Sequence, residues 1–478
     1  MVWFHGPSPT SRAVARLACK MSTVIPPTKE MTRFLDLDLA SFKARCTREL
    51  CQSLFSISWR SIPVWGRVWA CIHRGRVFTT SADACPRSLL ANPGCGICRS
   101  GGDRKDSFHR LILTYNELYR PAIDVCITLN CQDAPVLYRS GLVGFAYTGS
   151  PSSYDVPFPD YTTWQSYPLW LQDLERSPPP PWHEKLRRAV LVGGATTASN
   201  LRRMLFGGVC NEVFHRLGFV DMAGVTRNTA KLRDGNPIPR NATGRDIAAA
   251  LADRNATGLR QFPFVPRSDL CRYRMIVLST GHSRWLDHMK HTLLCKSLVV
   301  NLVSLGASEH VNRRDGIVWR AIAAAYSPIE RVLKSGVTHV ELVLNHSSPD
   351  MCSKAANTLQ AMWDDDAQAH AIASRGEATT RQHYSVQGIY DYVDAAIARM
   401  AAIQKGAFNV STFIEQHRGV EITHDNYDNV TKRVGDYRFA KWERPPKGSY
   451  TGWLGSGGWQ IGMEQLRLML PRVGHGNG

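Results

Sequence analysis

Three stretches of the chain carry residue types whose order could do group-transfer chemistry on a phosphate-bearing molecule. The first is Ile123-Asp-Val-Cys-Ile-Thr-Leu-Asn130, followed by Cys131-Gln-Asp133-Ala-Pro135. An Asp at the carboxyl end of a parallel strand faces the cleft of an open α/β sheet and can take a proton from a hydroxyl. The same Asp can also simply cap the turn, as most such residues do. The second stretch runs from Ala189 through Val192 into Gly193, Gly194 and Thr196, then to Arg202. A strand entering a Gly-Thr-Ser loop and a basic helix offers backbone N–H groups, hydroxyls and a guanidinium to a diphosphate. The third is Asp269 to Val300, with Gly281, Ser283, Arg284 and His288 at its turn. On pattern alone the third stretch reads as an ordinary βαβ unit with a basic helix, because a single Gly turn is weak evidence.

Elements of definite type have to hold these residues. Met275 to Leu278 is a short apolar run, long enough for a buried strand and too short for a helix. From Arg284 on, Trp285, Met289, Thr292 and Leu293 share one helical face. Leu298 to Val303 is a second apolar, β-branched strand. Upstream, Val64–His73 and Arg76–Thr79 pair as a hairpin, residues 86–106 read as a surface loop, and Phe108–Tyr119 is helical in pattern. Gly144–Ala146 makes a short strand, and Ser153–Trp164 follows with Asp155, prolines and aromatics. A carboxylate among stacked aromatics suits a sugar ring; a Pro-rich loop packed by its own aromatics suits the residues equally well. Ser177-Pro-Pro-Pro-Pro181 is a stiff linker and marks a domain boundary. Residues 227–268 are a polar excursion, and Ala355–Arg375 and Val386–Met400 read as helices. The triplet Asp364 to Asp366 starts a helix, where carboxylates offset the helix dipole, so no metal site is expected there.

Composition narrows the class. A chain of 478 residues, 44% hydrophobic and 21% charged, is globular and long enough for two domains. The net charge of +18 is spread along the chain without a recognition module, which argues against nucleic acid as the partner. Among 13 cysteines, Cys95-Gly-Ile-Cys98 is a CxxC with no second pair at zinc spacing, and reads as a loop disulfide or two thiols. No apolar run is long enough for a membrane span, since Arg60 and Arg67 interrupt the best one. No apolar segment follows a basic start in the manner of a signal peptide. Sequons stand at Asn241, Asn255, Asn345, Asn409 and Asn429.

Taken together, Cys271-Arg-Tyr-Arg274, Gly281, Lys290-His291 and Cys295-Lys-Ser-Leu298 resemble the nucleotide-binding core of the capsule-associated-protein (CAP-ten) glycosyltransferases, glycosyltransferase family 90. That family includes the Rumi and KDEL-motif protein O-glucosyltransferases. Trp182, Lys185, Ala189, Gly193, Thr196 and Arg202 are similar to its W-x-x-K and Gly-rich element. Asn130, Asp133 and Pro135 are similar to its base-bearing loop, and Trp363 to Gly376 to its N-D-D-x-A helix. The resemblance covers roughly residues 120–400 with gaps.

It implies an α/β fold of GT-B type, two Rossmann-like domains facing across a cleft. It also implies transfer of a sugar from a UDP-sugar to a hydroxyl on a protein or glycan, inverting and without metal or other cofactor. Asp133 would be the catalytic base. Gly193, Gly194, Thr196, Arg202, Asp269, Gly281, Ser283, Arg284 and His288 would hold the donor, and Asp155 and Trp164 would lie near acceptor and sugar. The implied compartment is the lumen of the endoplasmic reticulum or Golgi. The implied division is a leader over 1–45, an acceptor-side domain over 46–180, a nucleotide-sugar domain over 181–345, C-terminal helices over 346–404 and an unassigned Trp/Gly-rich tail over 405–478. Two positions depart from the family pattern: Val192 and His288 stand where it has Arg. Strand alternation lets residue 192 face either the cleft or the sheet core, and an Arg there would tighten donor binding only in the first case.

Overall fold

Two β-sheets with helices packed around them make a mixed α/β architecture in the computed structural model. The structure describes residues 67–80, 102–130, 144–149, 156–160, 162–163, 167–193, 209–224, 267–280, 288–305, 327–345 and 348–427, with Asp36, Leu205 and Val430 besides.

The first sheet starts from a hairpin. Strands β1 (Arg67–His73) and β2 (Arg76–Thr80) are antiparallel, with His73 opposite Arg76. The intervening Arg74 and Gly75 have φ of 51° and 71°, the left-handed pair that a two-residue type I′ turn demands. Helix α1 (Gly102–Tyr119) then leads to β3 (Val125–Asn130), and two-residue strands β4 (Phe145–Ala146) and β5 (Val156–Pro157) extend the sheet in parallel. Cys71 lies directly opposite Cys126, and the two are disulfide-bonded across β1 and β3. β4 reaches only Leu129 and Asn130, which leaves the Cys126 backbone open on that side. The buried Gln404 amide fills the gap, accepting from the Cys126 N–H at 2.9 Å and donating to its carbonyl at 2.7 Å.

Helix α2 (Tyr167–Arg176) and the proline run lead into the second sheet. Its strands are β6 (Leu186–Gly193), β7 (Val220–Gly224), β8 (Tyr273–Ser279), β9 (Leu298–Leu305) and β10 (Val340–Asn345). All pairings in it are parallel, in the order β10-β9-β8-β6-β7. Strands β8 and β9 and the end of β6 are covered on both faces and read as near-continuous apolar runs. Helix α3 (Val209–Arg216) sits between β6 and β7, a short helix α4 (Arg267–Leu270) precedes β8, and α5 (Met289–Leu293) joins β8 to β9.

The expected single helix over 355–375 is two: α6 (Met351–Asp364) and α7 (Asp366–His383). Asp365 breaks the run, with φ −99° and ψ 74°, and its carboxylate accepts from Gln368 N–H as the N-cap of α7. A disulfide between Cys210 and Cys352 ties α3 to α6. Helix α8 (Val386–Gln404) returns to the first sheet, where Tyr392 donates to the Pro157 carbonyl at 2.7 Å. The tail left unassigned by sequence supplies α9 (Val410–Gln416) and β11 (Gly419–Ile422), the latter pairing antiparallel with β2 at the sheet edge. Among the described residues no helix is long and apolar enough to cross a membrane.

Helix α7 packs through Ala369, Ile372, Ala373 and Gly376, all buried and spaced on one helical face. A Cβ on Gly376 would stand 2.3 Å from the Thr338 carbonyl oxygen and 3.0 Å from Leu293 Cδ2. Gly376→Ala is therefore expected to overpack this contact and cost roughly 1–3 kcal/mol. Urea denaturation checks it; an unchanged midpoint would show that the helix can move away freely.

Candidate functional site

The order of the second sheet sets a topological switch point. Numbered within the sheet, its order is 2-1-3-4-5, the doubly wound arrangement with a switch point between its first and third strands, β6 and β8. The crossovers on either side of that point go to opposite faces. Cys210 and Phe214 of α3 pack with Ala189, Leu191, Met275 and Val277. Met289 and Leu293 of α5 pack with Val190, Val192, Ile276 and Leu278. The chain therefore leaves neighbouring carboxyl ends in opposite directions, and ligands of such sheets bind in the gap.

Gly193 is the last residue of β6, paired with Gly224. Ser279 ends β8 and, with Thr280, is buried there; the Thr280 N–H donates to the Leu302 carbonyl at 3.1 Å. Neither hydroxyl is among the residues expected from sequence to hold a donor. The stretches that follow in sequence, Gly194–Thr196 and Gly281–Arg284, are two of those singled out for phosphate chemistry.

The remaining expected site residues distribute as follows. Asp133, Asp155, Trp164, Gly194, Thr196, Arg202, Gly281, Ser283 and Arg284 lie outside the described residues. His288 is buried at the start of α5, where its carbonyl accepts from the N–H groups of His291 and Thr292. Asp269 is in α4, at the amino end of β8, where its carbonyl accepts from Arg272 N–H at 3.1 Å. Seven strand residues at about 3.3 Å each separate it from the carboxyl end by roughly 20 Å. The structure does not bring Asp269 to the switch point with Gly193.

Several residues that carry the family-like pattern have architectural roles at the amino ends of the strands. The Lys185 ammonium is buried and donates to the carbonyls of Cys271 and Cys295, the latter at 2.9 Å. Those two cysteines are themselves disulfide-bonded, so one lysine and one S–S bond clamp the start of β8 to the end of α5. Burial, with the nearby Lys296 ammonium second, pulls the Lys185 pKa down to about 8. Trp182 donates from its indole to Asp366 at 3.1 Å and stacks on His370, and Arg274 reaches the same carboxylate at 2.6 Å. Burial works against ionisation of Asp366, but the Trp182 indole and the Arg274 guanidinium hold its pKa below the usual carboxylate range. The aspartate triplet is thus used in helix capping and anchoring. Among the described residues no three His, Cys, Asp or Glu side chains gather as a metal site.

One charged contact was not foreseen. Lys290 of α5 and Asp160, just after β5, form a 2.7 Å ion pair with side chains 2% and 7% exposed. The signal was present in Asp160-Tyr-Thr162-Thr163, a turn-capping pattern, but its partner lies 130 residues away. Tyr384 is packed nearby; burial first, then the Asp160 carboxylate, pushes its phenol well above the ordinary tyrosine value. No family model matches the chain, and no curated protein matches it in sequence.

Val192 decides between the two orientations left open by strand alternation. It is 6% exposed and packs in the apolar cluster with Val190 and Leu278. The residue faces the core. An Arg at this position would bury a charge with no partner, so Val192→Arg is expected to destabilise the protein by roughly 3–5 kcal/mol and not to tighten UDP binding. Thermal unfolding with calorimetric UDP titration checks both; a stable variant that binds UDP more tightly would overturn the orientation.

Proposed function

We propose that this chain is an inverting glycosyltransferase that moves a sugar, glucose or xylose, from a UDP-sugar to a hydroxyl of a protein or glycan. In this reading the two sheets are the halves of a GT-B arrangement. The observation that carries it is the switch point between β6 and β8: Gly193 and Ser279-Thr280 end neighbouring parallel strands, and each is followed in sequence by a Gly- and hydroxyl-bearing loop. Loops that leave such a point suit a nucleotide diphosphate.

An inverting displacement joins the acceptor oxygen to the anomeric carbon as the bond from that carbon to the UDP oxygen breaks. The acceptor hydroxyl must give up its proton, and the departing diphosphate must be met by positive charge or N–H dipoles. Asp133 takes the proton. The backbone of Gly193, Gly194 and Thr196, with Arg202, Ser283, Arg284 and His288, meets the diphosphate, which needs no divalent cation when enough donors converge. Asp155 and Trp164 serve the sugars. Asp269, about 20 Å along β8 from the switch point, has no part. The disulfides Cys71–Cys126, Cys210–Cys352 and Cys271–Cys295 support an oxidising compartment such as the secretory lumen.

A second reading, nucleotide or glycan binding without turnover, is favoured by Val192 facing the core and His288 replacing a family Arg. A donor screen with UDP-glucose, UDP-xylose and UDP-galactose separates them. The expected result is release of UDP from one donor, undiminished by chelator, and lost by about 100-fold or more in Asp133→Asn. UDP binding without consumption of any donor supports the second reading. A strict manganese requirement, or steeply salt-dependent DNA binding in place of UDP binding, overturns the proposal.

A further inference from the structure

The Lys290–Asp160 pair joins the two sheets at a particular place. Asp160 follows β5 of the first sheet and is held firmly on its own side. Its Oδ1 accepts from Thr162 N–H at 2.9 Å, Thr162 Oγ1 at 2.7 Å, Thr163 N–H at 3.1 Å and Thr163 Oγ1 at 3.1 Å. That closes the turn over residues 160–163, while Tyr392 of α8 anchors the preceding Pro157. Lys290 is equally fixed on the other side. It stands on α5, the crossover helix from the switch point, whose His291 carbonyl accepts from the Trp170 indole at 3.2 Å and whose far end is clamped by the Cys271–Cys295 disulfide. The Asp160 Oδ2 receives the Lys290 ammonium at 2.7 Å.

The two sheets share one apolar core, with Ile127 and Leu129 in the same buried cluster as Val190 and Ile276, and the ion pair adds a directional contact to it. A buried ammonium and carboxylate cannot separate without stranding both charges away from water, so they fix the distance between the turn and the helix. We infer that Lys290 and Asp160 are positioning residues that hold the acceptor-side turn at a set distance from the nucleotide-side helix, so that sugar transfer depends on them and nucleotide binding does not. This rests on the glycosyltransferase reading above. Nucleotide binding at the switch point involves the second sheet alone, whereas transfer needs reacting atoms carried by both sheets in near-contact, and a misplacement of an ångström can cost about 100-fold in rate.

The test measures UDP affinity by calorimetry and kcat for the preferred UDP-sugar on the full chain. Asp160→Asn keeps an acceptor for the Thr162 and Thr163 donors, and Lys290→Met keeps the side-chain length. The double variant removes both charges of the pair together, and it gives the answer where a single variant fails to fold. The expected outcome for the folded double variant is a UDP dissociation constant within about threefold of wild type and a kcat at least about tenfold lower. Lys290→Arg, which keeps the charge, should recover part of the rate. An unchanged kcat in the double variant, or UDP affinity and kcat falling by the same factor, overturns the inference. Wild-type protein that neither binds UDP nor consumes a UDP-sugar sinks the functional reading and this inference with it. An active wild type with indifferent variants sinks this inference alone.

Discussion

The parallel pairing of β6 with β8 is the constraint on which the rest of the molecule depends. Val190 opposite Ile276 and Val192 opposite Leu278 bring the two carboxyl ends level. Helices α3 and α5 pack on opposite faces of the sheet on either side of that edge. The doubly wound order puts a switch point at this edge, the place where ligands of such sheets bind. The segments that follow these two strands in sequence carry glycines with Thr, Ser and Arg.

The opposite edge of the same sheet is where the structure is secured. Lys185 and the Cys271–Cys295 disulfide bind β6, β8 and α5 to one another, and Trp182, Arg274 and Asp366 bind the strands to α7. A disulfide closing a segment of this size contributes about 3 kcal/mol through the unfolded chain. This explains a feature of the sequence resemblance. Its most recognisable pieces, the W-x-x-K, the Cys-x-Tyr-x, the second cysteine and the stretch from Trp363 to Gly376, are mostly residues of architecture. They speak to fold more directly than to chemistry, because packing and clamping leave strong local patterns while a ligand site is assembled from separate loops.

The same distinction explains what could be read in advance. β8, β9 and the end of β6 were legible because a doubly covered parallel strand must be an uninterrupted apolar run, and the β1–β2 hairpin because Arg74-Gly75 falls between two strand-like runs. The role of the aspartates was legible because N-capping is local: Asp365 needs only Gln368 three residues on. That a helix starts at the aspartates was legible for this reason; that a separate helix, Met351–Asp364, ends just before it was not, because residues 355–375 read as one helical span. Helix α1 begins at Gly102, inside the stretch read as a loop, because its Gly and Ser suggested a turn. Strand β11 is four residues long and finds its partner β2 across some 340 residues, a pairing that no local pattern announces. The Lys290–Asp160 pair was hidden for the same reason, and the direction of Val192 could not be had from alternation once both faces of the strand were buried.

The proposed glycosyltransferase activity requires a nucleotide diphosphate to bind outside the carboxyl ends of β6 and β8. A crystal structure of the chain grown with UDP tests it most directly. The account predicts diphosphate density beyond Gly193 and Thr280, within hydrogen-bond distance of backbone N–H groups of residues 193–196. Density at the amino ends of the strands, against Asp269 and Arg272, or a fully occupied UDP elsewhere on the molecule, would contradict it.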